Sequence, residues 1–126
     1  MTTPIEGQAV AFVYVTDRER GLGFYRDTLG FGLRSADPFG DFLDMSGALL
    51  RMTAMPDFKP SEHPVLGLDV RDIAAAVDVL RARGVELLIY DGMGQDERGV
   101  WTSPDGKAKV AYFKDPDGNV LSLSQT

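Results

Sequence analysis

The sequence predicts an α+β fold built from two tandem copies of one βαβββ module. The main observation is an internal repeat. Residues 10–17 (VAFVYVTD) and 65–72 (VLGLDVRD) are both apolar runs with a polar ending, and they start 55 residues apart. A helical pattern follows each run, and turn-forming sequences then divide the rest of each half into extended segments. Each half is therefore expected to contain one helix and four strands.

In the first half, residues 10–17 predict a strand because β-branched and aromatic side chains dominate them. Thr16 and Glu19 have the spacing of a capping box, which predicts a helix that begins there and ends at Gly30. Asp41 and Asp44, in a short predicted hairpin, are expected to face solvent. The extended segments that follow the helix are residues 31–36, 41–45 and 48–55.

The second half repeats this order with a clearer helix. Ile73, Ala76, Val77 and Leu80 fall on one helical face, and Gly84 is placed to end the helix in a left-handed conformation. The extended segments that follow are residues 85–91, 108–114 and 119–124. The predicted organisation is a single domain of residues 1–126, with modules at 8–55 and 65–126 joined by a linker at 56–64.

Composition excludes several kinds of function. The formal net charge of -6 disfavours nucleic acid, because an acidic surface repels phosphate backbones. The absence of cysteine rules out disulfides, thiolate metal sites, iron–sulfur clusters and a thiol nucleophile. No apolar run approaches the length of a membrane span, and the first residues lack the pattern of an export signal. We therefore expect a soluble cytoplasmic protein with neither nucleic acid nor membrane as a partner.

Two further segments carry a family resemblance that extends over nearly the whole chain. Residues 24–31 (FYRDTLGF) and 112–119 (YFKDPDGN) resemble signatures of the vicinal oxygen chelate superfamily. That superfamily includes glyoxalase I, extradiol dioxygenases, fosfomycin resistance proteins and the bleomycin resistance protein. The resemblance implies that the two modules form a curved, cup-like mixed sheet with helices on its outer face. It also implies a homodimer.

The resemblance further locates four positions where metal-containing members place His, Glu or Gln ligands on inward-facing strands. In this chain they are occupied by Val10, Arg51, Val65 and Ser122. None of these is an imidazole or a carboxylate, which are the donors that zinc-type and iron-type metals prefer. The only histidine, His63, is expected to be an ordinary surface or capping residue. We therefore expect no metal and no other cofactor.

Alternation along the strands indicates which side chains line the predicted cup. Arg51 is expected either to hold a carboxylate, phosphate or enolate oxygen of a ligand or to pair with Asp69 or another strand carboxylate. Trp101 lies in an insertion at residues 90–107, where it is expected either to contact a ligand or to pack under its own loop. The candidate ligand-binding residues are Phe12, Tyr14, Arg51, Asp69, Trp101, Tyr112 and Ser122.

These expectations lead to competing functions. The first is a metal-independent protein of the glyoxalase/bleomycin resistance type that sequesters a small, partly aromatic molecule in the cup, as in antibiotic resistance. The alternative is a lyase, isomerase or related enzyme that uses Arg51 and Asp69 in place of a metal. A structural or regulatory module with an empty cup is a third possibility. No catalytic residue can be assigned from the sequence.

Overall fold

Two four-stranded mixed sheets, one in each half of the chain, form the framework of the protein. The computed structural model describes residues 1–126 and divides them into a first unit, Met1–Phe58, and a second unit, Lys59–Thr126. In each sheet the first strand pairs in parallel with the last strand of its unit. The predicted α+β class and the repeated βαβββ order are confirmed.

The first unit buries one side of its sheet against a short helix. Val13, Val15, Leu43, Leu50 and Met52 are almost inaccessible to solvent on that side. The strand order is β1-β4-β3-β2. The elements in chain order are β1 (Ala9–Val15), α1 (Arg18–Leu22), a π-helical segment (Gly23–Thr28), β2 (Gly32–Ala36), β3 (Gly40–Asp44) and β4 (Ala48–Ala54).

The helix α1 differs from its predicted form at its beginning. Its N-cap is Asp17, whose side chain accepts a hydrogen bond from the backbone N–H of Arg20 at 3.1 Å. Thr16 instead accepts a hydrogen bond from the Arg20 guanidinium, so the capping-box prediction is wrong. A Cβ atom on Gly21 would lie 2.7 Å from the Met52 sulfur. Glycine, although a weak helix former, therefore allows α1 to approach the sheet closely.

Asp41 is buried, contrary to the prediction that it faces solvent. Only 1% of its surface is exposed. Arg18 donates to both of its carboxylate oxygens, from Nε at 3.1 Å and from Nη2 at 3.0 Å, and Nη2 also donates to the Gly40 carbonyl. Asp44 is exposed, as predicted. The Arg18–Asp41 pair thus joins α1 to β3 with its charges compensated.

The second unit contains the better-defined helix. Ile73, Val77 and Leu80 are buried on one face of α2, and Gly84 has a φ of 84° just beyond its end, as predicted. The strand order is β5-β8-β7-β6. The elements in chain order are β5 (Pro64–Asp69), α2 (Ile73–Ala82), β6 (Trp101–Thr102), β7 (Lys109–Lys114) and β8 (Val120–Gln125).

The strand predicted at residues 85–91 is not a continuous strand. It makes an isolated bridge between Leu87 and Phe113, and Leu88 donates a hydrogen bond to the Tyr112 carbonyl at 2.8 Å. The other end of the same β7 edge is occupied by β6, where Trp101 pairs with Val110. The loop between these two short segments therefore interrupts the third strand of this unit, and both segments lie along one edge of β7.

None of the helices has the length and apolar character that spanning a membrane requires.

Candidate functional site

The side of the first sheet that faces away from α1 carries a row of aromatic and cationic side chains, of which Phe12 is the exposed member. We call this side the first open face. Arg51 on β4 lies directly between Phe12 on β1 and Phe42 on β3 in the strand register. Phe12 remains 60% exposed, although it is in the middle of a strand. Val10 and Tyr14, on the same face of β1, are 38% and 37% exposed, and an accessible apolar patch of this kind is typical of a contact surface.

Arg51 is fixed in place from two directions. Its guanidinium carbon lies 4.7 Å from the centre of the Phe42 ring, which is within cation–π range. Its Nη2 donates to Asp37 Oδ1 at 3.0 Å, while Nη1 lies 2.9 Å from Oδ2 without the alignment of a hydrogen bond. The ion pair expected as one alternative for Arg51 is therefore present, and its partner is Asp37 rather than Asp69.

Asp37 is itself held by its own turn. Its Oδ1 also accepts backbone hydrogen bonds from Phe39 at 2.8 Å and Gly40 at 3.1 Å. The hydrogen bond from Arg51, followed by these backbone donors, lowers the pKa of Asp37 from 3.8 to about 2. The carboxylate is therefore charged at neutral pH, and the Arg51–Asp37 pair adds no net charge to the first open face.

Tyr14 extends the first open face along β1. It lies two residues beyond Phe12 and is 37% exposed. Its ring centre is 5.5 Å from that of Phe58, at an angle of 38°, which is within the range of aromatic contact. Phe12, Tyr14 and Arg51 therefore share one surface of the first unit, as alternation predicts.

The corresponding side of the second sheet, away from α2, is the second open face. The register places Tyr112, Ser122 and Gly67 in one row. Val110, Ser124 and Asp69 form the next row, with Trp101 across from Val110. The remaining predicted site residues, Asp69, Trp101, Tyr112 and Ser122, are thus placed on one face of the second unit.

Asp69 is held by hydroxyl groups. Ser124 Oγ donates to its Oδ1 at 3.0 Å, and Thr126 Oγ1 donates to its Oδ2 at 3.1 Å. Gly67 leaves room beside Ser122, because a Cβ atom on Gly67 would lie 2.6 Å from the Ser122 hydroxyl. The second open face therefore offers hydroxyl groups and an exposed carboxylate where the first offers a guanidinium between aromatic rings.

The sequence did not identify Tyr90 as a site residue. Gln95 accepts a hydrogen bond from the Tyr90 N–H at 2.7 Å and donates to the Leu88 and Gly99 carbonyls. This arrangement orders the loop and places the Tyr90 ring edge-to-face against Tyr112, with centroids 5.7 Å apart. Sequence reasoning also missed Phe42 and Asp37. Alternation along β3 would have identified Phe42.

The four positions that the family resemblance assigns to metal ligands carry residues that do not suit a metal. Val10 and Val65 have no donor atom, Ser122 has one neutral hydroxyl, and Arg51 carries a positive charge that repels a cation. Val65 lies at a register shift of β5 and is 42% exposed. No group of three or more His, Asp or Glu side chains is arranged to hold an ion. The residues present therefore do not fit the metal that the family implies.

Comparisons with known proteins agree with this fold. The model of the Glyoxalase/Bleomycin resistance protein/Dioxygenase superfamily matches residues 7–123. The uncharacterized protein YetH of Bacillus subtilis (strain 168) is 27% identical over 122 residues, covering 90% of this chain and 92% of YetH.

Two solved structures are similar to this chain in fold. A superfamily member from Sphaerobacter thermophilus DSM 20745 has a TM-score of 0.72 and 26% identity, covering 97% of this chain and 98% of that chain. The fosfomycin resistance protein FosX from Listeria monocytogenes has a TM-score of 0.75 at 13% identity, covering 98% and 95% respectively, and shares the fold. From its family match over residues 7–123, this chain belongs to the glyoxalase/bleomycin resistance protein/dioxygenase superfamily.

Proposed function

We propose that this protein binds a small, partly aromatic molecule without a metal, using the open faces of its sheets. The observation that carries the proposal is the row formed by Phe12, Arg51 and Phe42, in which an exposed ring and a fixed guanidinium lie side by side. Planar aromatic groups stack favourably on both kinds of surface.

The polar groups of the first open face favour a neutral ring system as the part of the ligand that binds there. Asp37 already neutralises Arg51, so an anionic ligand group would have to compete with a charge-assisted pair. The fixed geometry of Arg51 reduces the entropy lost on binding, because its side chain is ordered before the ligand arrives. Tyr112, Trp101 and the hydroxyl groups of the second open face are proposed as ligand contacts within their own unit.

Isothermal titration calorimetry against a panel of neutral planar aromatic metabolites and antibiotics tests this proposal. Phe12→Ala is expected to weaken binding of any hit by about tenfold, because a stacked aromatic residue is lost. Phe39→Ala is the matched control, since Phe39 is 73% exposed but lies in the turn before β3. No heat from any compound, or equal affinity for wild type and Phe12→Ala, would contradict the proposal.

The proposal includes a homodimer in the cytoplasm that protects the cell by sequestering its ligand. Sedimentation velocity tests the dimer, and a single species of monomer mass at micromolar concentration would exclude it. Growth inhibition by the identified ligand, with and without the gene, tests protection.

The enzymatic alternative stays a prediction. Arg51 and Asp69 each have polar partners within their own unit, so no observation favours it over binding.

A further inference from the structure

A groove of about 520 Å³ lies within the second unit, and none of the seven predicted ligand-binding residues lines it. Its volume is in the range of small-molecule sites. Lys114 and Val120 contribute from the sheet, Tyr90 from the loop, and Pro60, Glu62 and His63 from the segment before β5. The only histidine of the chain is therefore part of a concave surface.

The register shows where the groove meets the sheet. Lys114 on β7 pairs directly with Val120 on β8, and Val120 pairs with Pro64 on β5. On β7 and β8 these residues lie two positions from Tyr112 and Ser122, so Lys114 and Val120 point to the same side of the sheet as those two residues. The groove is therefore one end of the second open face.

Two parts of the groove lining are pre-ordered. The Asp115–Asn119 turn fixes Gly118, where a Cβ atom would lie 3.2 Å from Pro60. In the loop, Gln95 holds the backbone of Tyr90, and the Tyr90 ring rests against Tyr112. A surface already fixed in this way loses little conformational entropy when a ligand binds.

The charges of the groove select the ligand. The Lys114 ammonium makes no ion pair with a carboxylate of the chain, so it is available to a ligand anion. His63 supplies a ring N–H, while Tyr90, Val120 and Pro60 supply apolar surface. Glu62 has the opposite sign and would repel an anion. We infer that this groove binds a small aromatic carboxylate, with the carboxylate on Lys114 and the ring against Tyr90.

Benzoate and its neutral analogue benzyl alcohol are the probes, titrated into the full-length protein and followed by calorimetry and by chemical shifts in NMR. Benzoate is expected to bind, and benzyl alcohol to bind about tenfold more weakly, because only the carboxylate pairs with the ammonium. Lys114→Gln is expected to weaken benzoate binding by about tenfold. Glu62→Gln is expected to strengthen it by about twofold to fourfold, since a repelling charge is removed.

Lys107→Gln is the matched control, because it removes the same charge from an exposed turn of the same unit. Its benzoate affinity should equal that of wild type. Equal benzoate affinity in wild type and Lys114→Gln, equal binding of both probes, or no benzoate binding would overturn the inference.

The inference goes beyond the proposed function and can fail separately from it. Phe12→Ala lies in the first unit and should leave benzoate binding unchanged. Loss of benzoate binding in Phe12→Ala but not in Lys114→Gln would refute the groove while supporting a ligand on the first open face.

Discussion

On the first open face, the guanidinium of Arg51 is held by the carboxylate of Asp37, whereas on the second open face Asp69 is held by the hydroxyls of Ser124 and Thr126. Each unit also has a buried aspartate that anchors its backbone, and the partners of these two buried anchors differ in the same way. The first unit contains the ion pair of Arg18 with Asp41, while the second contains Asp115 bonded to Asn119 and to the backbone.

Two units with the same strand order thus hold their polar groups by different chemistry. The shared topology depends on the apolar side of each sheet, where residues such as Leu50 in the first unit and Leu121 in the second are fully buried. The open faces carry little of that burial. They are therefore free to differ in sequence without a change of fold, which suits a family in which one framework serves many ligands.

The largest expected effect is the difference in stability lost when a buried anchor and an open-face carboxylate are each removed. Asp115→Ala should lower the free energy of unfolding by about 3 kcal/mol, because the buried N–H of Asn119 and the part-buried N–H of Asp117 lose their acceptor. Asp69→Ala, on the exposed face, should change it by about 0.5 kcal/mol. Urea unfolding monitored through Trp101 fluorescence measures both. Equal losses of unfolding free energy in the two variants would contradict the distinction between the buried anchor and the open face.

Two glycines sharpen the comparison between the units. A Cβ atom on Gly40 would lie 2.2 Å from the Met52 carbonyl oxygen, which belongs to the backbone of the neighbouring strand and cannot move aside. Gly40→Ala should therefore cost about 2 kcal/mol of unfolding free energy. Gly67→Ala meets only the Ser122 hydroxyl, which can rotate, so its cost should be about 1 kcal/mol or less.

The double variant Gly67→Ala/Ser122→Ala tests the cause of the smaller effect. Removing the hydroxyl should relieve the contact and restore part of the lost stability, as measured by the same urea unfolding. If Gly67→Ala proves as damaging as Gly40→Ala and the double variant does not recover, the two faces are equally constrained.

The smallest expected effect concerns pH. The pKa of Asp37 is about 2 in the folded chain against an ordinary 3.8, so the folded state favours the charged carboxylate. Its contribution to stability is complete above the ordinary value and is lost as the pH falls through about 2. NMR titration of the Asp37 carboxyl carbon should show this midpoint in wild type.

Replacing Arg51 with Met should raise the pKa of Asp37, because it removes the hydrogen bond that contributes most to lowering that pKa. The backbone donors from Phe39 and Gly40 remain in this variant. Arg34→Met is the control, because Arg34 lies 3.8 Å from Asp44 and does not contact Asp37. A wild-type midpoint near 3.8 would show that the Arg51–Asp37 pair is not formed in solution.

Local patterns predicted the elements better than they predicted the partners of polar groups. The helical face of Ile73, Val77 and Leu80 and the shared strand face of Phe12 and Tyr14 follow from periodicity alone. The partner of Arg51 is 14 residues away and the partner of Arg18 is 23 residues away, each across turns. Because several carboxylates were equally plausible partners, only the folded register could select among them.

The sequence by itself determined the repeated module, its α+β class and the alternation that separates buried from accessible strand residues, because those properties depend on side chains close together along the chain. The tertiary structure decided that Asp41 is buried, that the strand after α2 is interrupted, and that His63, Tyr90 and Lys114 share a groove. Each of these depends on backbone segments that meet only after folding.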